Sequence, residues 1–129
     1  MDELDYKILE ILRNNSRETN MEIARKFNVS EGTVRKRIAN LYRNGIIKRF
    51  TVETAASVDS IVLIKVDPGR AEKVLKKMRE NYTDLYEFSG SIDIAVRLTK
   101  NTLDELNSEV DNIRNIDGVI NTDTMIRLK

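Results

Sequence analysis

The hydrophobic period changes along the chain, and that change limits the folds open to it. Up to about residue 48, apolar residues recur three and four apart; beyond residue 60, two-residue alternation and helical spacing take turns. The pattern predicts an α+β molecule with a helical unit over residues 1–50, a hinge over 51–60 and a mixed unit over 61–129. The longest unbroken aliphatic run, Ile61-Val62-Leu63-Ile64, is far short of the roughly 20 apolar residues of a membrane span. The opening Met1-Asp2-Glu3-Leu4-Asp5 is acidic and lacks the basic-then-apolar order of a leader, so the expected location is cytoplasmic. The 129 residues include no Cys and no His. Disulfides, thiolate nucleophiles, imidazole bases and the commonest metal ligands are thereby removed. The expectation is a non-enzyme with no cofactor and no metal.

In the first half, Leu4, Ile8, Ile11 and Leu12 mark an amphipathic helix over about 3–14, with Asp2 as its N-cap. Thr19 and Glu22 fit a capping box opening a second helix, which carries Ile23, Ala24 and Phe27 inward. Asn28 tolerates the left-handed turn that ends it. Ser30 then caps a third helix over about 31–44, closed by Gly45. Two helices joined by so short a turn make a helix-turn-helix, whose second helix enters the major groove of DNA.

The distribution of charge fits that reading. The net charge is only +1, but residues 1–52 hold eleven basic and seven acidic residues. Between 30 and 50 six basic residues stand against Glu31 alone. The inward stripe of the third helix is Val34, Ile38 and Leu41. Its opposite face carries Gly32, Thr33, Lys36, Asn40 and Arg43, with Arg35 and Arg37 on the flanks. Lys and Arg suit phosphates or guanine edges, and Asn suits adenine edges. With Ser30, these are the candidate contacts to double-stranded DNA. The alternative is a plain three-helix bundle with a solvated basic face. The basic run Lys73, Lys76, Lys77 and Arg79 receives that plainer reading, because Glu72 and Glu80 flank it.

Phe50-Thr51-Val52 is β-prone, and the small polar residues 53–60 read as a hinge. The second half then predicts a strand at 61–66, a helix at 70–81, strands at 84–89 and 92–98, a helix after the capping residue Thr102 and a last strand at 119–128. The order β-α-β-β-α-β is the ferredoxin-like arrangement. Both helices must then cover one sheet face, which leaves Ile61, Leu63, Leu85 and Ala95 on the other. A patch of that kind favours a homodimer packed sheet on sheet, the alternative being partial cover by the linker.

The run Ile8-Leu9-Glu10-Ile11-Leu12, Asn15-Ser16-Arg17 and Glu22-Ile23-Ala24, followed by the pattern S-x-x-T-V-x-x-R-I-x-x-L-x-x-x-G-I-I from Ser30 to Ile47, resembles the N-terminal domain of the Lrp/AsnC (feast/famine) regulators. The second half resembles the RAM domain of the same family, with Gly90-Ser91-Ile92-Asp93 and Thr122-Asp123-Thr124 at the places of its G-x-x-D and T-x-T. The resemblance implies a sequence-specific DNA-binding transcriptional regulator whose dimers assemble into higher homo-oligomers. It also implies a small effector, usually an amino acid, bound between dimers near Gly90, Ser91, Asp93, Thr122 and Thr124. On that carry-over Asp93 pairs with an ammonium group and the turn amides near Gly90 take a carboxylate. The plainer reading of Asp93 is a turn-stabilising Asp. Ile92 stands where the family has an aromatic residue, and the hinge is short. An effector-independent repressor, an architectural DNA-binding protein with low sequence preference and, least supported without His, an Lrp-like enzyme are the other readings.

Overall fold

Three N-terminal helices form because each begins with a side chain that satisfies its own first turn. The computed structural model describes residues 1–128, with α1 at Glu3–Asn14, α2 at Asn20–Phe27 and α3 at Glu31–Arg43. Asp2 and Thr19 each accept from the backbone N–H three residues on, and the Asp5 and Glu22 carboxylates reach back, so both make full capping boxes. Ser30 caps α3 by accepting from Thr33 N. Asn28, at φ +53°, ends α2 and turns the chain into α3 within three residues. Ile8, Ile23, Ala24 and Val34 are buried where the three helices meet, with Leu4, Phe27, Val29 and Ile38 packed round them. Met1–Glu53 make up this compact unit, and a second begins at Thr54.

The β-prone residues 50–52 form no strand. Phe50 instead stacks on Tyr42 of α3, ring centroids 5.9 Å apart and planes 21° from parallel. An aromatic ring finds more contact there than an isolated strand without a neighbour would offer it.

In the second unit β1 (Val58–Val66), α4 (Ala71–Asn81), β2 (Leu85–Glu87), β3 (Ile94–Lys100), α5 (Leu103–Arg114) and β4 (Val119–Ile126) build an antiparallel sheet in the order β2-β3-β1-β4. This is the ferredoxin-like α+β fold. A single 3-10 turn, Pro68–Arg70, leads into α4. Val62, Ile64, Val66, Ile94, Val96 and Leu98 meet Val74, Met78, Leu106, Val110 and Ile113 from the helices. Burial of each such side chain contributes about 1.5–3 kcal/mol of transfer free energy.

Strand boundaries differ from expectation for identifiable reasons. β1 begins at Val58, inside the small polar stretch read as a hinge. Its polar residues are satisfied in the sheet. Ser60 is buried and donates to Leu98 O at 3.0 Å, while Asp59 holds Arg97 through two hydrogen bonds of 3.1 and 3.0 Å. Asp59 also accepts from Thr99 at 3.2 Å, and its carboxyl is held below the usual range chiefly by Arg97. β2 is only three residues long, and β4 stops at Ile126.

One face assignment is corrected. Leu85 pairs with Val96 and packs into the helix-covered core, so it does not belong to the open face. Its neighbour Tyr86, opposite Ala95, lies there instead. Ile61 and Leu63 do lie there, with Met125 added from β4, and Ala95 is nearly enclosed between Leu63 and Tyr86. Ile61, Tyr86 and Met125 stay 45%, 58% and 47% exposed, so the strip is apolar and wet.

Candidate nucleic-acid interface

The buried stripe of α3, Val34 and Leu41 with half-buried Ile38, fixes which residues turn outward. With 100° between successive residues, Gly32, Lys36, Ala39 and Arg43 fall opposite that stripe. Lys36, Ala39 and Arg43 are exposed, as is Arg35 beside them. Among the described residues Lys36 and Arg43 make no hydrogen bond or ion pair with another side chain. Arg35 reaches back one turn to Glu31 at 3.1 Å, an exposed pair that holds the guanidinium only weakly.

In the first turn of α3 the outward position, Gly32, carries no side chain. Ser30 Oγ accepts from Thr33 N at 3.1 Å and lies 2.8 Å from Thr33 Oγ1, so both hydroxyls serve the cap. A Cβ on Gly32 would meet only Arg35 Nη2, at an ordinary 3.5 Å. Nothing within the unit therefore requires glycine there. Its absence of a side chain leaves the helix N-terminus open, with its unsatisfied N–H groups and positive dipole end.

Two expected contacts stand elsewhere. Asn40 is half-buried on the α1 side of α3, where it lines a groove of about 360 Å³ with Met1, Arg37 and Asn44. Arg37 is turned onto the first turn of α1: its Nη1 donates to Asp2 Oδ2 at 2.5 Å and to Asp5 Oδ1 at 3.3 Å. Hydrogen bonding to Arg37 pulls the Asp2 carboxyl down to about 2, and the same contacts raise the guanidinium. The helical wheel places residue 37 on this flank, but no local signal in the sequence shows that its partner lies 35 positions away. Ala39, conversely, lies among the outward cations and was not singled out by charge, because it has none.

The candidate effector residues gather at one end of the sheet. Gly90, at φ +148°, and Ser91 are exposed in the turn before β3. Asp93 Oδ2 accepts from Val66 N at 2.9 Å, where the β1–β3 ladder ends, so one of its oxygens serves the turn. Thr122 lies opposite Ile64 and Thr124 opposite Val62, both on the helix-covered face. Thr122 Oγ1 accepts from Arg114 Nε at 2.9 Å, and Thr124 Oγ1 is buried without a partner among the described residues.

Residues 1–48 match a family model described as winged helix-turn-helix DNA-binding. Over 136 aligned residues, spanning all of this chain and 96% of the relative, the sequence is 36% identical to the HTH-type transcriptional regulator LysM of Sulfurisphaera tokodaii. The structure of Escherichia coli AsnC aligns with all of this chain and 93% of that one, at a TM-score of 0.68 and 27% identity. A transcriptional regulator of Neisseria meningitidis in complex with L-Met shares the fold at a TM-score of 0.71 and 18% identity, over all of this chain and 90% of that one.

Proposed function

This chain belongs to the Lrp/AsnC family of transcriptional regulators, and on that premise we propose that it reads specific DNA sequences as a homo-oligomer under the control of a small effector. It is a DNA-binding regulator of helix-turn-helix type and not an enzyme. The observation that carries the finer reading is the outward face of α3, where Lys36 and Arg43 stand free beside Arg35, with Gly32 giving no side chain to the same face in the first turn. In this reading Lys36, Arg43 and Arg35 meet phosphates or guanine edges, and Asn40 reaches a base from the flank. The backbone at Gly32 and the cap residues Ser30 and Thr33 approach a phosphate, where a helix N-terminus is favourable.

The apolar strip on the open sheet face supports a homodimer packed through that face. Two α3 helices related by a two-fold axis then read a pseudo-palindrome with half-sites about 34–36 Å apart, or a multiple of that. The turn Gly90–Asp93 and the start of β4, with Thr122 and Thr124, are the proposed effector end, and assembly beyond the dimer is proposed there too. The Neisseria relative's L-Met complex supports an amino acid as the class. Asp93 retains one carboxylate oxygen, Oδ1, for an ammonium group while Oδ2 holds Val66 N. No helix among the described residues is long and apolar enough to cross a membrane, and the cytoplasm is the proposed location.

Selection of bound duplexes from random DNA, run with and without a pool of amino acids, tests the reading. It expects an enriched two-fold sequence whose spacing or yield changes with the pool. Uniform recovery of all sequences favours an architectural protein. Enrichment indifferent to the pool, with no amino acid raising the Tm, removes the effector and leaves an effector-independent regulator.

A further inference from the structure

Four carboxylate oxygens at the start of α1 are all committed, and Arg37 closes the set. Asp2 Oδ1 accepts from Asp5 N at 3.0 Å, and Asp5 Oδ2 accepts from Asp2 N at 3.2 Å, which together make the capping box. The remaining oxygen of each residue, Asp2 Oδ2 and Asp5 Oδ1, takes Arg37 Nη1. The Asp5 side chain is only 13% exposed and that of Arg37 33%, so the bracket is partly sheltered from water. It joins the first turn of α1 to the middle of α3, one residue from Lys36. The bracket carries two negative charges and one positive, which turns phosphates away from this flank.

We propose that Arg37 is a positioning residue for DNA recognition: held by Asp2 and Asp5, it fixes the pitch of α3 against α1 and makes no phosphate contact of its own. The proposal rests on the DNA-binding reading above. Apolar packing alone leaves a helix some freedom to roll and slide, since the buried contact is non-directional. A charge-assisted hydrogen-bonded tie at a fixed point on the helix is directional. A loss of pitch affects base-edge hydrogen bonds first, because these demand alignment, and phosphate contacts last, because a flexible Lys or Arg follows a small shift.

The test compares binding of the full-length protein to its selected duplex and to an unrelated duplex across a range of salt. Asp2→Asn keeps the cap, since Asn caps as well as Asp, but removes the charge facing Arg37. We expect Arg37→Gln and Asp2→Asn each to lower the ratio of specific to unrelated affinity tenfold or more, while both keep the wild-type salt slope. Lys36→Gln should instead reduce the slope by about 0.9 for each phosphate contact it removes. Partial unfolding scales both affinities by the same folded fraction and leaves their ratio unchanged, so the ratio reports positioning and not stability. Arg37→Lys serves where Arg37→Gln folds poorly; it should keep the wild-type slope and recover only part of the ratio, because a compact ammonium cannot hold both carboxylates from the guanidinium's fixed position. The proposal is overturned if Arg37→Gln lowers the slope as Lys36→Gln does, or if Asp2→Asn leaves the ratio unchanged. A wild-type protein with no preference between duplexes would overturn the DNA-reading claim itself, an outcome visible before any variant is made.

Discussion

Gly118 feeds the chain into β4 and lies against the start of α4, and replacing it with alanine should cost more than its size suggests. Its φ is +104°, and a Cβ built there falls 2.8 Å from both Arg70 Cβ and Val74 Cγ2. Two costs add. Backbone strain for a residue with a side chain in such a region is about 1–3 kcal/mol. Val74 is fully buried and Arg70 Cβ is fixed to the backbone, so neither yields like a flexible side-chain end. Overpacking of this kind costs about 1–3 kcal/mol. Gly118→Ala should therefore destabilise the C-terminal unit by about 2–6 kcal/mol, against the roughly 5–15 kcal/mol that holds a typical domain. Gly90→Ala is the control, since Gly90 has φ +148° but nothing within 4 Å of a built Cβ, and only strain applies. Urea denaturation followed by far-UV circular dichroism reads both, at one protein concentration because dimerisation links stability to concentration. With m about 1–3 kcal/mol/M in urea, the midpoint should fall by about 0.7 M or more. A Gly118→Ala midpoint within about 0.3 M of wild type, or no lower than that of Gly90→Ala, would refute the close packing described here.

Three further outcomes follow from the same geometry. Asp2 has its folded pKa lowered from 3.8 to about 2 by Arg37, so the stability it contributes is present above about pH 4 and lost as pH falls toward 2; thermal melts of wild type and Asp2→Asn should converge over that window, and a constant difference contradicts it. Burial, with the hydrogen bond to Glu109 second, raises the Tyr82 phenol above 10.0, so its contribution is present below about pH 10 and lost above it. Ultraviolet titration should show a late tyrosine that disappears in Tyr82→Phe, and identical curves would remove the buried contact. Leu63, between Ala95 and Asp123 on the open face, should tolerate Lys in the monomer but not in a sheet-on-sheet dimer; Leu63→Lys should sediment as a monomer, and an unchanged dimer excludes this face.

What the chain's pattern made legible was whatever a local period or a local cap decides. The three N-terminal helices, the turn at Asn28 and the order of the four strands rest on spacings of two, three and four residues and on side chains that bond within one turn. Contacts across long separations were not legible. The small, mostly polar residues 53–60 read as a hinge, yet Ser60 and Asp59 find partners on β3 almost forty positions on. Leu85 lies on the helix-covered face and not the open one because the 84–89 run alternates too weakly to fix its register, which only the pairing with β3 decides. Arg37 stands among the expected DNA contacts because its charge has the right sign; the acidic turn that it bonds lies at the other end of the unit's sequence, out of reach of any local pattern. The outward place of Ala39 follows from the same helical wheel, but an uncharged residue draws no notice in a count of charges.

The chain contains no cysteine, so a single introduced one reports on one place alone. Ala39→Cys, on the outward face of α3 and free of any contact that holds the unit together, can carry a short photo-crosslinker onto the duplex selected by the wild type. If α3 enters the major groove, crosslinks fall on base edges at two places related by the two-fold of the site, about one helical turn or a multiple of it apart. Crosslinks confined to sugars and phosphates, or absent from a duplex that is demonstrably bound, would contradict that claim.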